Sequence, residues 1–548
     1  MSPSGRDALV VVGLWIIVLG VALAGRPLLS PDETRYLGVA WDMWARHDFL
    51  VPHLNGLPYS DKPPLLFWLF HLGWAVGGVS ELWPRLIGPA CALGSAFLLI
   101  SVARRLWPGR PGAGWAAMVA LPGTLGWVTY GGLILFDMLL TVGVLVALLG
   151  VLVAWRGRRL SGWSLFGFGV GFALLAKGPP ALIHILPIPL LAPWWMRDDR
   201  PARWQTWYAG LGVAFFLGVA MVLAWAVPAG NAGGAAYRDA IFLHQVADRM
   251  VSGAAHARPI WWYLPVVPLL LLPWILWPPA WRAIADTRRH LDDSGVRLCL
   301  TWLAVTFACF SLVRGKQAHY LLPLVPALAL LWDAGWRTTA GAGKRAGAAV
   351  PAIFLVLAGL TLLAAPRLHA LTDRNPWVAS LPAWPAGLLL LAAAAAVLLG
   401  RRLDTRQLPL LVSGIGLTGA ALLEVAVFPA MRPQFDVAPL AAALQVYQAR
   451  GFAIGHVGKY NAQWQFAGRM TTPIDVVADL REGTAWMERH PRHVLIHYVR
   501  SADGPEAIAA GEQCSPYRDR LACLIVADST GGSQRARDGK LLTRDSTP

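Results

Sequence analysis

The feature that most constrains this chain is a series of long apolar segments that runs from near the N-terminus to residue 428. Most of these segments reach the roughly 17–25 residues that an α-helix needs to cross about 30 Å of hydrocarbon. Only 14% of the residues are charged, whereas a soluble globular chain has about 25%. The sequence therefore excludes a soluble enzyme, a disordered chain and a fibrous protein, and it predicts a polytopic α-helical membrane protein. We count thirteen segments, at 8–25, 84–103, 115–132, 136–155, 163–176, 180–196, 207–227, 263–281, 298–313, 319–336, 347–366, 384–400 and 408–428.

The basic residues set the expected orientation. The chain has 47 Lys and Arg against 31 Asp and Glu, a formal charge of +16 that could suggest nucleic-acid binding. Most of the basic residues instead cluster in short loops between apolar segments, as the positive-inside rule requires, so no nucleic-acid partner is expected. With a cytoplasmic N-terminus, the loop between residues 26 and 83 and everything after residue 431 lie outside. The inside loops then carry Arg104, Arg105 and Arg110; Arg156, Arg158 and Arg159; Arg197, Arg200 and Arg203; Arg282, Arg288, Arg289 and Arg297; Arg337, Lys344 and Arg345; and Arg401, Arg402 and Arg406.

Two local features of the apolar segments need interpretation. Arg6 followed by an apolar run and the small residues 22–24 resembles a secretory signal peptide. The apolar run is long for such a peptide, so we favour an uncleaved first helix. Prolines inside later segments are expected to kink the helices without ending them. These prolines are Pro187, Pro189, Pro268 and Pro273.

The composition changes after residue 431, where acidic residues become frequent and long apolar runs stop. We predict a small α/β domain over 432–528 and a disordered tail over 529–548, which is rich in Ser, Thr, Gly and charge. Cys514 and Cys523 fall in this domain and could pair outside the cytoplasm, but the sequence leaves their pairing open. The periodicity predicts strands at 452–456 and 493–498 and helices at 437–450 and 482–489.

The first outside loop concentrates polar chemistry near the membrane surface. Trp41, Trp44 and Phe49 predict an amphipathic helix lying in the interface. A solvated loop with aromatic anchors is the alternative interpretation. The charged and aromatic residues form two tight clusters, Asp32-Glu33-Thr34-Arg35-Tyr36 and Tyr59-Ser60-Asp61-Lys62-Pro63-Pro64.

Asp137 is the second polar signal, because it stands in the apolar run 133–140 at the outer end of the fourth segment. A charged side chain within a membrane helix costs roughly 2.5–3.5 kcal/mol on insertion scales, so Asp137 should face a polar cavity or a partner. A structural salt bridge is the alternative. Further polar residues lie at the same outer level: Lys177, His244, Gln245, Asp248, Arg249, His256, Arg314, Lys316, His319, Tyr320 and Glu424.

An outer cavity lined by Lys and Arg suits a lipid that carries a phosphate, because these side chains bind phosphate oxygens. Sugar nucleotides are not supplied outside the cell, so a sugar donor at this face would have to be linked to a lipid. The motifs that support this interpretation occur in a fixed order: Asp32-Glu33-Thr34-Arg35-Tyr36, Tyr59-x-Asp61-Lys62-Pro63, Asp137, Lys177-Gly178-Pro179, His256 before Pro259-Ile260-Trp261-Trp262-Tyr263, and Lys316-Gln317-Ala318-His319-Tyr320-Leu321-Leu322-Pro323.

In order and spacing these motifs resemble the polyprenyl-phosphate-sugar glycosyltransferases of the GT-C type. The resemblance covers residues 10–430, with a weaker similarity in the C-terminal domain, and the nearest branch is the bacterial aminoarabinose–lipid A transferases within the protein O-mannosyltransferase superfamily. One residue departs from the family pattern, since Asp61 stands where Glu commonly precedes the lysine. The resemblance implies inverting transfer of a sugar from undecaprenyl phosphate at the periplasmic face of the bacterial inner membrane.

The resemblance also implies roles for individual residues. Asp32 and Asp137 would be the catalytic carboxylates, and Lys62 would stabilise the charge that the leaving phosphate gains. Asp61 and His256 could hold a divalent metal ion, because a carboxylate and an imidazole suit zinc. Contacts to phosphate or sugar would come from Glu33, Arg35, Tyr36, Tyr59, Lys177, Arg249, Lys316 and Tyr320.

Several functions remain open at this level. A lipid A phosphate acceptor is favoured, because it is already a nucleophile and the outside face is basic. A Ser or Thr hydroxyl on a protein is the alternative acceptor, and it would need Asp32 as a general base. A lipid-linked sugar flippase would place its polar residues near the bilayer midplane, and a non-catalytic membrane sensor would not need them.

Overall fold

The computed structural model describes residues 5–197, 200–244, 257–339, 347–404, 407–500, 503–509 and 512–527. These residues form a mostly helical membrane protein with one small C-terminal sheet, which confirms the predicted fold class. The predicted tail over 529–548 lies outside the described residues, as do Arg249 and His256.

The α-helices are α1 (Gly5–Gly25), α2 (Asp32–Arg46), α3 (Leu65–Gly77), α4 (Leu82–Leu106), α5 (Trp115–Ala120), α6 (Leu125–Gly131), α7 (Asp137–Trp155), α8 (Arg159–Lys177), α9 (Pro180–Ile185), α10 (Pro187–Leu190), α11 (Ala192–Trp195), α12 (Trp204–Ala232), α13 (Ala235–Asp239), α14 (Tyr263–Leu270), α15 (Pro278–Asp286), α16 (Ser294–Leu312), α17 (Val325–Thr339), α18 (Ala349–Ala364), α19 (His369–Thr372), α20 (Trp384–Gly400), α21 (Leu408–Phe435), α22 (Ala438–Ala449), α23 (Leu480–Arg489) and α24 (Gly504–Ala509). The strands are β1 (His53–Leu54), β2 (Leu57–Pro58), β3 (Ala453–Val457), β4 (Asp475–Val477), β5 (His493–Arg500), β6 (Gln513–Tyr517) and β7 (Arg520–Ala527). Shorter helical turns occupy Ala240–His244, Ile260–Trp262, Trp274–Leu276, Thr287–His290, Ala318–Leu324, Ala365–Arg367 and Pro376–Ser380.

Nine helical segments of the described residues are long and apolar enough to cross a membrane, so the structure does not confirm thirteen uninterrupted spans. Part of the difference arises where prolines end helices that were expected only to be kinked, and the predicted segment 384–400 is a single but shorter helix, α20, of 17 residues. The segment 180–196 divides into the three short helices α9, α10 and α11, and 263–281 is interrupted around Pro273. A proline lacks the N–H that continues the helix, and its ring clashes with the preceding turn. The nine segments are Arg6–Gly25, Leu82–Leu106, Asp137–Trp155, Arg159–Lys177, Trp204–Ala232, Ser294–Leu312, Ala318–Trp336, Ala349–Arg367 and Leu408–Ala449.

The chain forms two compact units, and the C-terminal part of the second begins at Val427, close to the predicted boundary at residue 431. The second unit combines the C-terminal segment with Arg26–Tyr59 and Ala365–Leu381. Part of the first outside loop therefore folds with the C-terminal domain. The first unit consists of Met1–Gly25, Ser60–Ala364 and Pro382–Ala426.

The first unit is a helical bundle with a mostly apolar interior. Asp333 in α17 is fully buried, and its two carboxylate oxygens accept the backbone N–H groups of Gly114 and Ala116, each at 2.9 Å. These N–H groups belong to the first turn of α5, where an anion is favoured by the helix dipole. Asp333 thus caps a helix, and its burial has a structural explanation.

The second unit is built on a five-stranded sheet with the strand order β4-β3-β5-β7-β6. β4, β3 and β5 are parallel, whereas β7 runs antiparallel to both β5 and β6. The predicted strands and helices of this segment correspond to β3, β5, α22 and α23, which confirms that part of the prediction. Cys514 and Cys523 form a disulfide between β6 and β7, so the structure answers the question that the sequence left open.

Helix α2 is present as predicted, but protein covers its apolar face. Leu37, Val39 and Met43 are completely buried. The indole N–H of Trp41 donates to the carbonyl of Met470 at 2.8 Å, within the same unit. The C-terminal segment thus supplies apolar surface to this face of the helix, and the predicted position of the helix in the membrane interface stays a prediction.

Candidate active site

Asp137 is almost completely buried, with 2% of its surface exposed, and both of its carboxylate oxygens have a basic neighbour. Oδ1 forms an ion pair with the ammonium of Lys177. Oδ2 lies 3.8 Å from Nε2 of His319. A buried carboxylate requires such partners, because removing its hydration is expensive. The structure thus gives Asp137 a partner, as the sequence analysis required.

The packing of α7 against α8 explains how Asp137 meets Lys177. Asp137 is the first residue of α7 and Lys177 is the last residue of α8, and the two helices are antiparallel neighbours. A side chain at Gly143 would place its Cβ only 2.9 Å from the Cβ of Ala173, so glycine permits the close approach. An acid at a helix N-terminus and a base at a helix C-terminus also complement the two helix dipoles.

Aromatic rings complete this group of residues. The ammonium of Lys177 lies 4.6 Å from the ring centroid of Tyr320, within the range of a cation–π interaction. The His319 ring lies 5.0 Å from that of Tyr320 and 5.6 Å from that of Tyr130. We call Asp137, Lys177, His319 and Tyr320 the Asp137 cluster. It brings together three of the predicted site residues, whose positions in the sequence are far apart.

Lys62 acts electrostatically on the same carboxylate. Its positive charge contributes to the field at Asp137, after those of Lys177 and His319. Lys62 is half-buried, and Asp61 beside it is exposed. The two residues precede the buried pair Pro63 and Pro64, which leads into α3. Lys62 is therefore an accessible cation near the Asp137 cluster, as a phosphate-binding role requires.

Lys316, unlike the other predicted substrate-binding cations that the structure describes, is bound to backbone carbonyl groups of the protein. Only 3% of its surface is exposed, and its ammonium donates to the carbonyls of Val313 and Arg258, at 2.5 and 3.1 Å. The segments around these residues also form an isolated bridge between Ala257 and Gly315. These contacts favour a role for Lys316 in joining two loops. Its predicted contact with substrate stays a prediction.

Two histidines, one in the Asp137 cluster and one near it, had no assigned role in the sequence analysis. His319 was noted only for its position at the outer level. His184, in α9, is 1% exposed, and its ring centroid lies 4.8 Å from that of Phe310. It lies within electrostatic range of Lys177 and Asp137. Its signal in the sequence was a single polar residue in an apolar segment, the same signal that identified Asp137.

The second unit contains another group of predicted site residues, at the start of α2. Nη2 of Arg35 donates to Oδ1 of Asp32 at 2.5 Å, and the hydroxyl of Tyr36 donates to the same oxygen at 3.5 Å. Asp32 keeps 42% of its side chain exposed, whereas that of Arg35 is 22% exposed. We call Asp32, Arg35 and Tyr36 the Asp32 cluster. It is accessible to a ligand.

Electrostatics fix the protonation of the two donors in this cluster. Burial and the nearby charge of Asp32 raise the pKa of Tyr36 well above its ordinary value, so the phenol keeps its proton. Burial alone would lower the pKa of Arg35, but Tyr59, Tyr36 and Asp32 raise it overall. Arg35 is therefore permanently charged, and the position of Tyr59 beside it matches the predicted grouping.

Glu33 points away from this accessible group. It is 2% exposed, and its Oε2 accepts hydrogen bonds from Arg26 at 2.6 Å and from the backbone N–H of Leu29 at 2.8 Å. Both contacts lie just before α2. They favour a positioning role for Glu33, and its predicted contact with substrate stays a prediction.

The C-terminal strands hold the region around α2. The hydroxyls of Ser30 and Tyr517 are 2.6 Å apart, two residues before Asp32. The side-chain amide of Asn55 donates to the carbonyl of Ile474 and accepts its N–H, both at 2.8 Å. These contacts order the segment from which Asp32 and Arg35 project.

The predicted metal pair cannot be evaluated from its geometry, because His256 lies outside the described residues. Arg249 also lies outside them, so its predicted contact with substrate stays a prediction. Among the described residues, the group with metal-ligand spacing is His497, Glu512 and Cys523, in the second unit. The predicted metal role of Asp61 therefore stays a prediction as well.

The chain is similar in sequence to known glycosyltransferases. Residues 61–225 match the family model described as dolichyl-phosphate-mannose-protein mannosyltransferase. The chain is 30% identical over 566 residues to an undecaprenyl phosphate-alpha-4-amino-4-deoxy-L-arabinose arabinosyl transferase from Pseudomonas aeruginosa strain PAO1, covering 99% of this chain and 98% of the relative.

Two solved structures have a similar fold. They are crystal structures of ArnT from Cupriavidus metallidurans, one bound to undecaprenyl phosphate and one in the apo state. Their TM-scores are 0.70 and 0.72 at 23% and 22% identity, and each alignment covers 96% of this chain and 99% of the other. These similarities establish a multi-pass membrane glycosyltransferase of the GT-C type, and the chain belongs to the family of undecaprenyl phosphate-aminoarabinose arabinosyl transferases.

Proposed function

We propose that this protein transfers 4-amino-4-deoxy-L-arabinose from undecaprenyl phosphate to a phosphate group of lipid A, at the periplasmic face of the bacterial inner membrane. The name of the Pseudomonas aeruginosa relative supports this donor and a pentose as the transferred sugar. The exposed carboxylate of Asp32, with the permanently charged Arg35 beside it, supports binding of a donor that carries both an amino group and a phosphate.

In the proposed reaction, an oxygen of the acceptor phosphate attacks the anomeric carbon of the sugar while the bond from that carbon to the undecaprenyl phosphate oxygen breaks. The configuration inverts, and the leaving group is undecaprenyl phosphate. Lys62 and Arg35 would bind the leaving phosphate and stabilise the charge that it gains. The permanent charge of Arg35 suits this role.

The observation that carries the proposal is the state of Asp137. Both of its oxygens are engaged, by Lys177 and by His319, inside a buried site. A carboxylate held in this way is a fixed negative charge, poorly placed to accept a proton from an acceptor hydroxyl. It can stabilise the positive charge of an oxocarbenium-like transition state, and a phosphate acceptor needs no base.

Asp32 differs from Asp137, because much of its side chain is exposed. Its neighbours Arg35 and Tyr36 donate to one oxygen, Oδ1, which leaves Oδ2 available to a ligand among the contacts described. We assign to Asp32 the ammonium group of the amino sugar, which is a cation that a carboxylate recognises. Arg35 would then contact the donor phosphate from the same helix turn.

A direct test uses a bacterial strain that lacks its own aminoarabinose transferase but still makes the lipid-linked donor. Expression of this chain should add aminoarabinose to lipid A, as measured by mass spectrometry. Asp137→Asn should abolish most of this product, and Asp373→Asn, at an exposed position, is the matched control. Unmodified lipid A with a wild-type protein that is correctly inserted would overturn the acceptor assignment.

A second candidate function is glycosylation of Ser or Thr on a protein. The match of residues 61–225 to the protein mannosyltransferase family favours it. The purified enzyme should then transfer sugar to a Ser/Thr peptide and leave lipid A unchanged. The same assay therefore separates the two acceptors and tests the proposed reaction in both cases.

The proposed periplasmic orientation has its own test. Arg481 in the second unit and Arg158 in the first unit are both exposed, so each can be replaced by a single cysteine that a reagent can reach. In a background with the free cysteines replaced, an impermeant thiol reagent should label Arg481→Cys in intact spheroplasts, and Arg158→Cys only after lysis. The reverse pattern would place the site at the cytoplasmic face.

A further inference from the structure

Three side chains form a row across adjacent strands of the C-terminal sheet. Cys523 in β7 is the register partner of His497 in β5 on one side and of Cys514 in β6 on the other. Directly paired residues of neighbouring strands point to the same face of a sheet. Glu512 lies two residues before Cys514, just before β6, and its Oε2 is 2.8 Å from Nε2 of His497.

Two of these side chains are buried, and the side chains lie close together. Cys523 is completely buried and His497 is 6% exposed. One ligand atom each from His497, Glu512 and Cys523 lies within 4.8 Å of the others. Nδ1 of His497 is buried and makes no hydrogen bond within the described part of the chain. An imidazole, a carboxylate and a thiol are the donor types that bind zinc in proteins.

The disulfide removes two of the available donors, because a metal binds the thiolate and a disulfide has none. We propose that reduction of Cys514–Cys523 converts this row into a zinc site. Its ligands are the Cys523 thiolate, the His497 imidazole and the Glu512 carboxylate, and Cys514 is the fourth donor within reach.

The chemistry balances with a dithiol as the reductant. The dithiol gives two electrons and two protons to the disulfide and becomes a disulfide itself, while Cys514 and Cys523 become thiols. Zinc then binds, and the thiols that coordinate it release their protons. Zinc–ligand bonds of about 2.0–2.3 Å require ligand atoms roughly 3–4 Å apart, so only small movements from the observed separations are needed.

This arrangement gives the strands β6 and β7 two alternative cross-links. The disulfide joins them in the oxidised protein, and the metal joins both to β5 in the reduced protein. β6 ends at Tyr517, whose hydroxyl contacts that of Ser30. A metal cross-link would therefore keep the Tyr517 strand in place when the disulfide is lost.

Cobalt substitution tests the proposal in the full-length protein in detergent. The background variant carries Cys91→Ala, Cys299→Ala and Cys309→Ala, so that Cys514 and Cys523 are its only cysteines. After reduction and removal of the dithiol, Co²⁺ should produce a thiolate-to-metal charge-transfer band that the oxidised protein lacks. Zn²⁺ should remove the band by displacement. Metal held by Asp61 or His256 would give no such band, which separates the two sites.

Substitutions in the row identify the ligands. Cys523→Ser should abolish the band, and His497→Ala or Glu512→Gln should weaken cobalt binding by about tenfold or more. Circular dichroism checks that each variant is folded. If His497→Ala does not fold, Glu512→Gln tests the ligand set in its place. A folded, reduced background protein without the band would overturn the proposal. Equal cobalt affinity in the background protein and in both His497→Ala and Glu512→Gln would also overturn it, because the metal would then be bound by the thiols alone.

Discussion

The ammonium of Lys177, at the last residue of α8, forms an ion pair with the carboxylate of Asp137, at the first residue of α7. The pair joins two helix ends in the membrane region and fixes the charge nearest to the proposed reaction. Lys177 also packs over the ring of Tyr320, so one side chain connects three segments of the chain. The ionised form of Asp137 therefore depends on residues that lie far from it in sequence.

Removal of Lys177 should damage both stability and activity. Lys177→Met leaves Asp137 buried without its closest cation, and breaking a buried pair typically costs about 3–5 kcal/mol. We expect a lower thermal unfolding temperature in detergent and a loss of turnover. Asp137→Asn in the same protein should recover much of the unfolding temperature but none of the activity. If Lys177→Met unfolds at the wild-type temperature, the ion pair does not stabilise the folded protein.

Lys62 should be required with any acceptor, because the leaving undecaprenyl phosphate is common to both. Lys62→Ala should lower turnover by roughly a hundredfold or more, the scale expected for a lost electrostatic contact in the transition state. Lys62→Arg should keep part of the activity, since a guanidinium also binds phosphate oxygens. Lys459→Ala, at an exposed position of the second unit, is the matched control. Wild-type turnover of Lys62→Ala would exclude the role.

The pH dependence of the reaction distinguishes the acceptors. A phosphate monoester becomes a better nucleophile when it loses its second proton, near about pH 6, so kcat/KM should rise through that pH. Asp32→Asn should lower the rate and leave this rising limb in place. If Asp32 is instead the general base for a hydroxyl, the rise in kcat/KM should reflect loss of the proton from Asp32, and it should disappear in Asp32→Asn. Initial rates over a pH series decide between them.

The contact between Ser30 and Tyr517 should matter for the geometry of the Asp32 cluster. Tyr517→Phe removes a hydroxyl 2.6 Å from that of Ser30, and a hydrogen bond of this kind contributes about 0.5–1.5 kcal/mol. We expect Tyr517→Phe and Ser30→Ala to lower kcat more than they change KM, and the double variant to be no worse than the poorer single one. Additive losses would show that the two hydroxyls act independently.

His456 should make the second unit sensitive to acid. It is completely buried in β3, its Nε2 is 2.9 Å from the hydroxyl of Tyr498, and burial lowers its pKa to about 4. The unfolded chain binds a proton near the ordinary value of about 6.5, so the unfolded state gains protons first as pH falls. Stability should therefore be full above about pH 6.5 and decrease between that value and about 4.

His456→Gln tests this effect, because the amide does not titrate in this range. Its unfolding temperature should vary less than that of the wild type between pH 7 and pH 5. His369→Gln, at an exposed position, should behave as the wild type does. An identical pH profile for all three proteins would show that His456 does not control the acid sensitivity.

Much of the membrane architecture could be predicted from local sequence. Apolar length predicted the long spans, and their presence in nine described segments follows from the cost of exposing a polar backbone to lipid. The prolines were visible as well, but whether Pro187 kinks or ends a helix depends on neighbouring groups that donate to the carbonyl that its missing N–H leaves free in the preceding turn. The short helices α9, α10 and α11 were therefore missed.

The candidate site shows the same division. The cost of a charge in an apolar segment was enough to predict that Asp137 has a partner, and the resemblance named Lys177 without pairing the two. Only the packing of α7 on α8, allowed by Gly143, brings the carboxylate and the ammonium together. The same holds for Glu33, whose burial against Arg26 no local pattern indicates.

The sequence by itself determined the class of protein and four of the helices and strands of the C-terminal segment, because these depend on composition or on periodicity along the chain. The tertiary structure alone decided which charges are paired and what covers α2. Those outcomes depend on contacts between residues such as Trp41 and Met470, which are more than four hundred positions apart. Contacts of that kind arise from packing, which no short stretch of sequence encodes.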